Sequence, residues 1–144
     1  MMQILQPPGW ARPRGYSNGI ATQGGTLVFI AGQIGWNERC EFVEKGFAGQ
    51  FRQTLKNILA VLGEAGGRPE HLMRLTWYVV DKQEYLAAVA EVGAVYRELI
   101  GRNYPVMAVV QVGALIEDEA RLEIEAMAVV PVPAAPAVPG PAAS

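Results

Sequence analysis

Apolar positions recur with two different periods along this chain. Over residues 46–65, Phe47, Phe51, Leu55, Ile58 and Leu62 fall three or four apart, the stripe of a helix with one buried face. Gln50, Gln53, Lys56 and Asn57 lie largely off that stripe. Gly66-Gly67 supplies a C-terminal stop, and Pro69 blocks a restart. Over 72–80 the period drops to two: Met73, Leu75, Trp77 and Val79 share one face, and Arg74, Thr76 and Tyr78 the other. That alternation predicts a strand with one face against helices. Asp81 and Glu84 have the spacing of an N-cap with its reciprocal acid. They open a second helix over 82–100, expected to bury Leu86, Val89, Gly93, Tyr96 and Ile100, and Gly101 ends it.

The remaining apolar runs are short and read as strands. Residues 1–5 suit an edge strand, and 6–15 form a loop by their proline and glycine content. Strands at 20–23 and 27–33 flank Gly24-Gly25, a two-residue hairpin signal. Residues 34–45 are polar and irregular around Trp36, Asn37 and Cys40. Tyr104 to Val112 reads as a strand entered through a proline turn, because Pro105 fixes its own φ and pushes Tyr104 towards extended geometry. Residues 121–130 close the domain. Two helices cover only one face of such a sheet, so the expected architecture is α+β with the helices on one side. The other face carries Thr76, Tyr78 and either Val106, Ala108 and Val110 or Met107, Val109 and Gln111. Such a half-apolar face is expected to pack against copies of itself.

Composition narrows the function classes. A chain of 144 residues, 51% hydrophobic and 18% charged, suits one globular domain. Its net charge of −2 and pI near 5.4 argue against electrostatic nucleic-acid binding. One cysteine, Cys40, excludes an intrachain disulfide and fits a reducing cytoplasm. No apolar run approaches ~20 residues and no signal-peptide pattern opens the chain, so a cytoplasmic protein without a membrane partner is expected. One histidine and one cysteine leave no zinc site within a chain. With neither a phosphate-cradling glycine loop nor a Ser-His-Asp set available, no metal and no cofactor are expected. A domain over 1–130 is followed by a segment, 131–144, holding five of the ten prolines. That composition favours extended polyproline conformations, either as a solvated tail or as a docking segment.

An ordered set of short motifs adds to this reading: Tyr16, Gly32-Gln33, Gln53-Thr-Leu-Lys-Asn57, Tyr78 with Asp81, Tyr104-Pro105, and Leu122-Glu-Ile-Glu-Ala126. Over about residues 14–130 the chain resembles the reactive-intermediate deaminase family, also called the Rid, YjgF or L-PSP endoribonuclease-like family. The resemblance implies a chorismate-mutase-like fold, a mixed sheet with two helices on one face. It also implies a homotrimer whose three sheets form a barrel, with small-molecule clefts between subunits. Glu123 matches the family position thought to orient the water that hydrolyses an imine, a role that suits a carboxylate. Alternatively Glu123 and Glu125, two apart on one strand face, pair with Arg74 or Arg121 at a subunit boundary. Tyr16 matches the cleft tyrosine, able to donate to a carbonyl or stack on a flat substrate, or else it closes its loop onto the sheet. Ala31-Gly32-Gln33 matches a Ser-Gly-Gln segment, with alanine in place of serine.

The chain departs from the family where the resemblance matters most. The family's strand typically begins Pro-Ala-Arg, and that arginine clamps the carboxylate of a 2-imino or 2-amino acid such as 2-aminoacrylate. Here the place reads Pro105-Val106-Met107. Methionine has no donor, and a desolvated carboxylate without its partner costs on the order of 3–5 kcal/mol, roughly 100- to 1,000-fold in binding. Val109 stands where a cysteine is often found. With Ala31, three polar cleft positions have become apolar, so the ligand is expected to be less acidic than an amino-acid imine. Arg14, two residues before Tyr16, is either a replacement guanidinium or a solvated loop charge. Trp10 and Trp36 wall the cleft or simply pack, and neither His71 nor Cys40 is given a chemical role. The function classes are then a hydrolase or binder of an uncharged or larger enamine, imine or carbonyl compound, a non-catalytic trimeric metabolite-binding module, and an RNA-cleaving protein. The acidic pI counts against the last.

Overall fold

The computed structural model describes residues 2–133 and 140. In chain order it contains β1 (Met2–Leu5), β2 (Gly19–Thr22), β3 (Thr26–Ile34), α1 (Phe47–Glu64), a 3-10 turn at Pro69–His71, β4 (Leu72–Val79), α2 (Lys82–Ala87), α3 (Val89–Leu99), β5 (Val106–Gln111) and β6 (Leu122–Val130). The main sheet has the order β3-β6-β4-β5. β6 is antiparallel to both neighbours, and β4 and β5 are parallel, connected through α2 and α3. This is the mixed sheet of an α+β fold.

The α1 stripe is buried as its spacing predicts. At its end Gly66, at φ 73°, donates to Gly63 O, and Gly67 donates to Leu62 O, a Schellman closure that suits glycine. Gln50 departs from expectation. It is fully buried, donating its amide to the carbonyls of Glu44 and Glu119 and accepting the Arg121 N–H, so both ends of the amide are satisfied. Asn57 donates to the carbonyls of Ile34 and Trp36 and accepts from Gln53, clamping the chain that leaves β3.

The predicted second helix is two. It breaks at Ala88, whose ψ of 3° turns the chain while its N–H reaches both Glu84 O and Tyr85 O. The buried face shifts with it: Tyr96 and Ile100 are buried as expected, but Leu86 and Val89 are exposed and Val92 and Val95 are buried in their place. The N-cap is half as expected. Asp81 accepts from Gln83 N and Glu84 N, but the Glu84 carboxylate is drawn away to Arg121. In β4 a register shift between Leu72 and Arg74 puts Leu72, not Met73, with the core residues Leu75, Trp77 and Val79. The Gly24-Gly25 hairpin does not form. β2 pairs with β1 in a separate ribbon and β3 pairs with β6, so the two positive-φ glycines make a corner between sheets.

Leu75, Trp77 and Val79 of β4 and Leu122, Ile124, Ala126 and Ala128 of β6 pack under α1 and α3 as one core. Each fully buried aliphatic or aromatic side chain contributes about 1.5–3 kcal/mol. The β5 register assigns its faces: Met107 and Val109 lie beside Leu75 and Trp77 on the helix side, while Val106, Ala108 and Val110 lie beside Arg74, Thr76 and Tyr78 on the outer side. The outer face remains open, with Leu27 52% and Phe29 69% exposed. Among the described residues no helix is long and apolar enough to cross a membrane. The proline-rich segment expected over 131–144 falls mostly on 134–139 and 141–144, outside the described residues.

Candidate functional site

The start of β5 holds the loop that carries Arg14 and Tyr16. Buried Ser17 donates its Oγ to Tyr104 O at 2.5 Å and its N–H to Pro105 O at 3.1 Å, and it bridges Val106 in parallel register. The proline turn thus fixes both the strand and the loop beside it. A cavity of about 520 Å³ opens there, bringing Arg14, Tyr16, Met107 and Val109 together with Trp77, Tyr85, Tyr96, Arg97 and Tyr104. Tyr96 donates to Asn103 O at 2.5 Å, and its ring stacks on Tyr104 at 6.0 Å and 9°. Burial, and then the neighbouring Tyr104, push the Tyr96 phenol far above its ordinary pKa, so it stays a proton donor. Trp77 stacks on Phe51 at 4.9 Å and meets the edge of Tyr85 at 6.0 Å. Its indole N–H is buried and has no hydrogen-bond partner.

A second group gathers on the outer face. β3 bulges between Ile30 and Gln33, placing Ala31 and Gly32 in the irregularity opposite β6. Glu123 reaches across it: a Cβ on Gly32 would stand 2.0 Å from Glu123 Oε1. The absence of a side chain at Gly32 is therefore what leaves room for this carboxylate. Bulges commonly re-aim a side chain beside a site in this way. The Glu123 carboxylate makes no hydrogen bond or ion pair among the described residues. It lines a depression with Tyr78, Val112, Ala114, Leu115 and Ile116. Glu125 instead accepts the Tyr78 hydroxyl at 2.7 Å. That hydrogen bond, with smaller contributions from burial and from the negative charges of Glu125 and Glu123, raises the Tyr78 pKa. Within one chain these acids do not pair with arginine: Arg121 forks onto Glu84, and Arg74 makes no ion pair among the described residues. Gln33 turns back to donate to Ala31 O at 3.1 Å.

The sequence-derived residues therefore fall into two groups. Arg14, Tyr16, Met107 and Val109 share the β5-edge cavity, whereas Ala31, Gly32, Gln33 and Glu123 cluster at the β3–β6 bulge. β3 and β5 are the two outer strands of the sheet, and Met107 and Glu123 face opposite sides of it. One chain does not bring the groups together. Sequence reasoning missed Tyr85, Arg97 and Tyr104 as lining residues. Val89, Gly93 and Arg97, spaced by four along α3, are the signal that was available. Trp10 is exposed and Trp36 packs against Phe42 at 5.8 Å. His71 accepts the Arg68 N–H at its Nδ1, closing the 3-10 turn.

Comparison with known proteins agrees over nearly the whole fold. The family model described as Endoribonuclease L-PSP matches residues 10–130. A RutC family protein of Pyrococcus horikoshii is 33% identical over 89% of this chain and 98% of its own length. The human 2-iminobutanoate/2-iminopropanoate deaminase is 31% identical over 90% of this chain and 88% of its own. The crystal structure of YyfB from Yersinia pestis, a Rid family protein of unknown function, superposes with a TM-score of 0.80 at 29% identity, covering 90% and 98% of the two chains. Fold, motif order and these likenesses agree, and the chain belongs to the Rid/YjgF family, the family of Endoribonuclease L-PSP.

Proposed function

We propose that this chain forms a homotrimer in which the β5-edge cavity of one copy meets the Gly32–Glu123 bulge of the next. There it binds and hydrolyses a small enamine, imine or related carbonyl compound. The observation that carries this is Glu123, a carboxylate held at a bulge over a glycine without a partner among the described residues. On this reading it accepts a proton from water attacking an sp² carbon. The open apolar outer face, with Phe29 and Leu27 exposed, supports assembly. The human and Escherichia coli relatives named as 2-iminobutanoate/2-iminopropanoate deaminases support the reaction class. Exposed Cys40 suits a cytoplasmic setting.

Met107, Val109 and Ala31 set the substrate range. None offers a donor from its side chain, so β5 supplies no cation to a carboxylate beside the reacting carbon. The same three positions favour a second reading, a metabolite-binding module without turnover. Imine hydrolysis, followed by release of the carbonyl product, tests both. Wild type is expected to turn over larger or uncharged imines and to act poorly on 2-aminoacrylate. Glu123→Gln should lower turnover by about 10²- to 10⁴-fold with the fold intact. Met107→Arg should gain activity on 2-aminoacrylate by roughly 100- to 1,000-fold. Binding without turnover in the wild type would select the second reading.

A further inference from the structure

We infer that Arg97, with Arg14 lining the same cavity, forms an anion anchor on the α3 side of the β5-edge cavity. The ligand class is then an acid with a flat apolar body, its carboxylate held away from the reacting carbon. This rests on the proposed function only in taking that cavity as part of the substrate site.

Arg97 projects from α3 and Arg14 from the loop tied to β5, and both line the cavity. Neither guanidinium has an acidic or hydrogen-bonding partner among the described residues. Arg97 is exposed, with its guanidinium lying along the helix surface. Its Nη1 lies 3.4 Å from where a Cβ on Gly93 would stand, so the side chain folds back over that glycine, itself a lining residue. Two planar forks suit a carboxylate and hold it bidentately, which a lysine pair would not.

The rest of the cavity describes the body of the ligand. Tyr16, Trp77, Tyr85, Tyr96 and Tyr104 contribute aromatic surface, which favours a flat unsaturated group. At about 520 Å³ the cavity has the size of a site for a ring-bearing ligand. A three-carbon acid would fill only a fraction of it. The cation that Met107 lacks is therefore supplied from another wall, which moves the acid group and lengthens the ligand.

Titration calorimetry on the full chain with three probes tests this: 4-acetylbenzoate, its uncharged counterpart 4-acetylbenzamide, and pyruvate. The aromatic acid should bind about tenfold or more tightly than either of the others. Arg97→Met should weaken the acid by about 10- to 100-fold and leave the amide unchanged, and Arg97→Lys should restore part of the loss. Equal binding of acid and amide would overturn the inference, as would an Arg97→Met variant that binds the acid normally. Dissociation of the assembly in Arg97→Met would also overturn it, assigning the guanidinium to a subunit contact. Glu123→Gln separates this from the proposed reaction. If acid binding depends on Arg97 but turnover ignores Glu123, the anchor stands and the hydrolytic reading falls; the converse result removes only the anchor.

Discussion

The two faces of the main sheet are made by alternate residues of the same strands, yet only one is finished within a chain. On β6, Leu122, Ile124, Ala126 and Ala128 are buried under the helices, while Glu123 and Met127 are half-exposed and Glu125 is exposed. On β3, Ile30 is buried and Phe29 beside it is 69% exposed. The helix face is a closed core. The outer face combines apolar side chains with two carboxylates, one of them without a hydrogen bond or ion pair among the described residues. The contrast teaches that one copy is complete as a fold, and that the proposed site needs a second copy, because Glu123 and Met107 lie on opposite sides of one sheet.

The largest expected effect breaks that contrast at its core. Ile124→Ala should cost about 2–5 kcal/mol, a large part of the ~5–15 kcal/mol that holds a typical domain together, and thermal unfolding would report it. Phe29→Asp, on the neighbouring strand but the other face, should leave the folded chain intact and dissociate the assembly. Were the outer face simply solvated, the same change would be worth within about 0.5 kcal/mol and leave the mass unchanged.

How much of this was legible in sequence depended on whether local chemistry or distant contacts decided each element. α1 was readable because its stripe and its Gly66-Gly67 closure are both local. The break at Ala88 was not, since alanine is the best helix former; the break and the shifted buried face emerge only in the packed fold, where Tyr85 meets Phe47 and Trp77. The Gly24-Gly25 corner looked like a hairpin because a glycine pair signals reversal but not which strand becomes the partner. Of the proposed site, Tyr16, Gly32 and Glu123 were singled out by ordered motifs, and Met107 by its departure from the family pattern. Arg97 was hidden because Val89 and Gly93, which precede it at spacings of four, were read as core, and the cavity they line together forms only in the fold.

Smaller effects sharpen the site half of the comparison. Gly32→Ala puts a Cβ where Glu123 Oε1 now lies, so the carboxylate must swing aside. Turnover should fall towards that of Glu123→Gln, with little change in melting temperature because the displaced atoms are the end of a flexible side chain. Smallest of all, a chain ending at Pro131 should melt and assemble as the full one does. Its last strand, β6, already ends at Val130, and a shift in melting temperature would assign the proline-rich segment a packing role.

The account stands or falls on whether the outer face meets copies of itself. Sedimentation equilibrium of the full chain at micromolar concentration addresses this without any substrate. The prediction is a single species at three times the 15.5 kDa chain mass. A persistent monomer would contradict it, and with it the site shared between subunits.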